Sequence, residues 1–234
     1  MNTTANQIKN LLSKGDSNAK TKKNIRETLI LYLSPANQND YGVNLCPKAS
    51  KGCLMSCLYL AGRGAFNTTQ SARIRKTNFL LGNRFVFIEQ IAKEINNKAK
   101  RTKGELAIRL NGTSDYKLVE MVTSLHHIAS NVVFYDYTKI PTKAGDKILK
   151  SGHRYVVCFS RAEDNEQTAL DILKNGGISS FVFANELPTT YKGFKVVDGD
   201  ERDDLMLDIE GGTIIGLRAK GHKAKKDTSG FVIQ

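Results

Sequence analysis

The chain has 234 residues, 40% of them hydrophobic, and carries 35 lysines and arginines against 23 aspartates and glutamates, a formal net charge of +12. That length can bury a full core within one domain, and no apolar run approaches the roughly 20 residues that a membrane span needs. The first residues, Met1-Asn-Thr-Thr-Ala-Asn-Gln7, lack the charged start and apolar stretch of a secretory signal, so the expected setting is the cytoplasm, where clustered cysteines serve as metal ligands or redox groups rather than disulfide partners.

Residues 1–27 read as an N-terminal arm, helical over Ile8–Leu12 and flexible over the polar, basic stretch Gly15–Asn24. A single α/β domain is expected from residue 28 to 234. Its first strand is Thr28–Ser34, stopped by Pro35. Asn37–Asn44 is loop and leads into a cysteine segment at residues 44–64. Thr68–Lys76 is polar but helical, and can run on into an amphipathic helix over Phe79–Lys98, where Phe85, Ile88, Ile91, Ala92 and Ile95 recur at helical spacing.

After Gly104 short apolar runs alternate with helical patterns. Leu106–Leu110 is a strand ending at Asn111-Gly-Thr-Ser-Asp115, followed by a helix over Leu118–Ala129. Val132–Tyr135 ends at Asp136-Tyr-Thr-Lys139, and Tyr155–Phe159 ends at Ser160-Arg161. A helix over Glu166–Lys174 precedes the strand Ser180–Phe183, which ends at Ala184-Asn185-Glu186. Lys195–Val197 ends at Asp198-Gly-Asp200. Leu205–Ile209, Gly211-Gly212 and Thr213–Leu217 read as a C-terminal β-hairpin, and Asp227–Gln234 as a docked end segment. This order predicts a mostly parallel sheet or a partial (β/α) barrel with helices.

Polar residues at successive strand ends would meet at one edge, where α/β sheets and barrels build their sites. Asn111, Asp115, Asp136, Ser160 and Asn185 are therefore candidate cofactor or substrate contacts. Arg63, flanked by Gly62 and Gly64, offers a bidentate fork for a carboxylate or phosphate.

The sharpest signal is Cys46, Cys53 and Cys57, spaced C-x6-C-x3-C with Pro47 and Gly52 bending the chain between the first two. Three thiolates can hold a [4Fe-4S] cluster with one iron open to a small ligand, or zinc with a fourth residue. The third explanation is packing of small apolar side chains. Cys158 sits mid-strand and reads as core. His126, His127, His153 and His222 form no recognisable metal-binding spacing. The acidic stretch Asp198-Gly-Asp-Glu-Arg-Asp-Asp204 leaves open a divalent-cation site of the kind a metal-dependent nuclease uses.

The segment from Asn44 to Gly64, together with Ile108–Asp115, Phe134–Lys139, Val196–Asp200 and Ile215–Gly221, resembles the phage gene product 88 domain family. The resemblance covers the chain from about Leu29 onward and implies phage or mobile-element origin, hence the host cytoplasm. More distantly, a three-cysteine loop after the first strand of a partial barrel resembles radical S-adenosylmethionine enzymes. That resemblance implies a [4Fe-4S] cluster on Cys46, Cys53 and Cys57 and S-adenosylmethionine bound at the strand ends. The spacing departs from the superfamily's common C-x3-C-x2-C, and no Gly-Gly-Glu run follows a later strand. The leading expectation is an iron-sulfur enzyme acting on nucleic acid or a nucleotide. The alternatives are a non-enzymatic nucleic-acid-binding protein with a zinc-stabilised loop and a metal-dependent nuclease.

Overall fold

The computed structural model describes residues 8–17 and 20–234. In chain order its elements are β1 (Leu12–Lys14), β2 (Glu27–Leu31), α1 (Lys51–Met55), α2 (Asn67–Gly82), α3 (Arg84–Ala99), β3 (Leu106–Arg109), α4 (Leu118–Leu125), β4 (Val132–Thr138), β5 (Gly145–Ile148), β6 (Arg154–Ser160), α5 (Glu166–Lys174), β7 (Ser179–Phe183), β8 (Thr190–Tyr191), β9 (Phe194–Asp198), β10 (Ile214–Arg218), α6 (Gly221–Lys225) and β11 (Val232–Ile233). The strands form one open sheet in the order β1-β2-β3-β4-β6-β7-β10-β9-β8. From β2 to β9 along that order every neighbouring pair is parallel, so those strands end at one common edge. The antiparallel strands β1, β5 and β8 pair with β2, β6 and β9.

The short apolar runs become strands because both of their faces are buried. Leu106, Ile108, Phe134, Tyr155 and Val157 meet α3 and α4 in one cluster. Their alternates Ala107, Val133, Tyr135, Val156 and Cys158 pack on the opposite face around Met206 and Leu207. A third cluster joins α5 to Phe159, Phe181 and Ile214. Helices thus cover one face, while a single 3-10 turn, Asp203–Leu207, plugs the bottom of the other. This leaves a half-barrel with its concave side open toward the strand C-termini.

The expected fold class holds, with differences in detail. In the described part of the arm the expected helix over Ile8–Leu12 is replaced by a bend leading into β1, where Leu11 and Leu12 are buried and both amides donate to Glu94, and two 3-10 turns follow at Gly15–Ser17 and Thr21–Lys23. Residues 1–7 and 18–19 of that expected arm lie outside the described residues. The long amphipathic helix is broken at Asn83, and its buried stripe runs through Phe87, Ile88, Ile91, Ala92 and Ile95, leaving Phe85 exposed. The strand β4 continues through Thr138, past its expected end at Tyr135. The Leu205–Ile209 arm of the expected hairpin lies in the 3-10 turn and its exit, because Asp203, Asp204, Met206 and Leu207 are all buried and an alternating strand would expose half of them. Its second arm becomes β10, parallel to both neighbours. The hairpin of this region is β8–β9, with Lys192 and Gly193 at its tip. The end segment docks as expected. β11 lies beside Val182 and Phe183 of β7, beyond the point where β6 stops pairing at Ser160.

Candidate functional site

At the common strand edge lies a cavity of about 1300 Å³. It is lined by the cysteine segment, one face of α2, the ends of β3, β4, β6 and β10, and the tail at Phe231. Cys46, Cys53 and Cys57 all face it, as do Arg63, Asn111, Asp115 and Ser160. Asp136 and Asn185 do not line it. Because β4 runs on to Thr138, Asp136 is an interior strand residue, and Asn185 is exposed in the bend after β7.

The cysteine segment is fixed from three sides. Cys46 is held by its amide to Asn44 Oδ1 at 2.8 Å, and its thiol points to the carbonyl of Thr113 at 3.9 Å. Ser50 caps α1, its hydroxyl accepting from the Cys53 amide at 3.1 Å. Glu163 then clamps this end by accepting from Ser50 Oγ and from the Gly52 amide, each at 2.7 Å. Gly52 is required by close approach: a Cβ there would sit 2.6 Å from Phe231 Cβ and 2.8 Å from Glu163 Oε2. Cys57 lies just past α1, where the chain turns into a 3-10 segment. Burial pushes all three thiols up, Cys46 to about 11; Cys57 pushes Cys46 and Cys53 up further, while Arg73 and Lys139 pull Cys57 back down. As neutral thiols they are stable in this semi-buried wall, while a bound cation would favour their thiolates. Their chemistry suits a soft metal, although among the described residues no set of three His, Cys, Asp or Glu side chains is arranged to hold a metal ion. Cys158 is fully buried on the inner face, its thiol pushed up to about 12 by burial, and lies outside the cavity lining.

The polar strand ends shape the loops. Asn111 Oδ1 accepts from Ser114 Oγ and the Tyr116 amide, while its Nδ2 donates to Tyr116 O and Asp136 Oδ2. Asp136 also accepts from the Asn111 amide at 2.8 Å and from the Tyr155 hydroxyl at 3.2 Å, and burial pushes its carboxyl up to about 7. Asp115 accepts from Thr138 Oγ1, the Lys139 amide and Lys143 Nζ, and its own amide donates to Leu45 O beside Cys46. Lys139 Nζ donates to the hydroxyl and carbonyl oxygens of Ser160 at 3.0 and 3.1 Å, which fixes it close to Cys53. Burial pulls the Lys139 ammonium down.

The cavity is cationic, with eight lysines and arginines in its lining against three aspartates. Several of these were not singled out from sequence. Arg109 reaches across the concave face to Asp203 at 2.9 Å and stacks on Tyr137, while Lys20 and the Tyr135 hydroxyl also engage Asp203 at 3.1 and 3.0 Å. Burial alone would raise the Asp203 carboxyl, but Arg109 and then Lys20 outweigh it and hold it well below the usual carboxylate range. The sequence signal for Arg109 was a charge inside an otherwise apolar strand. Arg73 and Lys76 on α2 carried no such mark, since a polar helix reads as solvent-facing. The acidic stretch is neutralised: Asp198 pairs with Arg218 at 2.9 Å and Asp200 with Lys220 at 2.6 Å.

Fold and cavity together define an open (β/α) half-barrel whose mouth is lined by three thiols and an excess of cations. Residues 6–234 match the model of the Gene product 88 family, and the chain belongs to that family. No curated protein and no solved structure matches it. Among the described residues no helix is long and apolar enough to cross a membrane.

Proposed function

We propose that the chain is an iron-sulfur enzyme of radical S-adenosylmethionine-like type, acting on a nucleic acid or nucleotide at the half-barrel mouth. The observation that carries this reading is the meeting of Cys46, Cys53 and Cys57 with a cationic wall in one cavity at the strand C-termini. The three cysteines would hold a [4Fe-4S] cluster, with one iron left for a small-molecule ligand such as S-adenosylmethionine. When bound, such a cluster supplies a single electron. The remaining work falls to the chain itself. The lysines and arginines of the wall attract an anionic substrate. Asn111, Asp115 and Ser160 hold the strand-end loops and Lys139 in place. The docked tail packs Phe231 against Cys53.

Anaerobic reconstitution of the full-length chain with iron and sulfide tests this. Wild type should take up about four irons and show a reducible cluster by absorption and spin resonance. C46A, C53A and C57A should each lose most of that iron while keeping the wild-type circular dichroism. Folded wild-type protein that takes up no iron refutes the reading. If it binds zinc instead, the zinc-stabilised, nucleic-acid-binding alternative replaces it, a reading favoured by the net charge of +12 and expected to show salt-sensitive binding. A nuclease built on Asp198 and Asp200 fits less well, because Arg218 and Lys220 already neutralise both carboxylates.

A further inference from the structure

Most arginines drawn into this fold have an acidic partner. Arg109 has Asp203, Arg161 has Glu166, Arg26 has Asp208 and Glu105, and Arg202 has Asp204 and Asp208. Arg73 has none among the described residues. It lines the cavity from the same face of α2 as Thr69 and Lys76. Its guanidinium carbon lies 5.1 Å from the centre of the Tyr32 ring and 5.5 Å from that of Tyr59. Its Nε and Nη1 are buried and make no hydrogen bond. The titratable groups it feels are Tyr32, Cys57, Tyr59 and the like-charged Lys76, with no carboxylate. Burial pushes both the Cys57 thiol and the Tyr59 phenol up, so neither supplies a counter-charge.

Arg73 is only half-buried, but two guanidinium nitrogens out of water and without acceptors are unfavourable unless something else completes the group. The two flanking rings restrict the side chain, and a restricted planar fork is suited to two oxygens of one group. We propose that Arg73 is the seat of an oxyanion on the ligand that enters the cavity beside Cys57, either a carboxylate of an amino-acid moiety or a phosphate of a nucleotide. Lys76, one turn further along α2, adds charge of the same sign. This inference deepens the reading of the cavity as a ligand site and does not require the cluster. Its test uses iron-free protein, so failure of iron uptake and failure of the oxyanion seat are read separately.

The experiment is calorimetric titration of the iron-free, full-length chain with two probe pairs. S-adenosylmethionine is compared with its decarboxylated analogue, and adenosine 5′-monophosphate with adenosine. Wild type should favour the oxyanion-bearing member of one pair by about 10- to 100-fold, and which pair does so identifies the source. R73Q should lose that preference. R73K, which keeps the charge but not the fork, should keep only part of it, and serves as the test if R73Q does not give the wild-type circular dichroism. Equal affinities within both pairs in wild type, or an undiminished preference in R73K and R73Q, overturns the proposal. So does a variant that loses iron uptake while keeping the full preference, because Arg73 would then belong to the cluster.

Discussion

Asp136 should make the protein less stable as the pH rises toward neutrality, and D136N should abolish that trend. The carboxyl is 1% exposed, on the helix-covered face of β4, and accepts from the Asn111 amide, Asn111 Nδ2 and the Tyr155 hydroxyl. Burial outweighs those three donors and raises it from 3.8 to about 7. A carboxyl raised in the folded state is protonated on both sides of the equilibrium below about pH 4, where it does not oppose folding. Between 3.8 and about 7 the unfolded chain releases the proton more readily, so stability falls through this window. The loss levels off near 4 kcal/mol, at about 1.4 kcal/mol for each tenfold difference in proton affinity. Asparagine cannot ionise, but its amide replaces one acceptor with a donor facing other donors, at a cost of about 1–3 kcal/mol. D136N should therefore be the less stable protein at pH 4 and the more stable at pH 8. Urea unfolding of both proteins across that range measures the difference directly. Parallel stability curves would refute the reasoning, since every other titrating group is shared.

Removing the carboxylate in D203A leaves Arg109 and Lys20 without their shared partner inside the barrel. Breaking a buried pair in this way should cost about 3–5 kcal/mol in urea unfolding at pH 7. Because the Asp203 carboxyl is held well below its ordinary value, its contribution is present above pH 4 and lost on acidification, so wild type and D203A should converge in stability toward pH 2. Divergence there would contradict the ion-pair account. In G52A the added Cβ meets Phe231 and Glu163, so α1 must shift away from the tail. Expected are a loss of about 1–3 kcal/mol, the usual range for overpacking, and faster alkylation of Cys53. A G52A protein with wild-type melting and thiol reactivity would show that the tail does not confine the cysteine segment.

The parallel strands were legible because β3, β4, β6 and β7 are buried on both faces and so read as nearly unbroken apolar runs. The register of α3 was not, because Phe85 and Phe87 fit a helical stripe about equally and only the sheet beneath selects Phe87. The turn at Asp203–Leu207 was misread for a related reason. Its two aspartates are buried by partners far away in sequence, Arg109 and Arg26, and no local pattern reports those. The thiols stood out in the sequence because cysteines are rare and three fall close together. Asp136 looked like a strand-end ligand because the length of β4 depends on its pairing with β6 out to Phe159. Arg73 was hidden because charge on a helix has the same spelling whether it faces bulk water or a cavity.

The strand β11 has a consequence for how the thiols are reached. The sheet's neighbours β6 and β7 share just two residue pairs, Phe159 with Ser179 and Ser160 with Ser180, and β11 takes over beyond them. Phe231 and Val232 then pack with Ala162, Ala219, Ala224 and Cys53 in one small cluster. Cys53 and the tail therefore belong to a small cluster separate from the larger one around α3 and α4. Small cooperative units of this kind open more often than the whole molecule unfolds. Chemical modification of Cys53 from the tail side would then follow the rate at which this seam opens rather than the global stability of the fold.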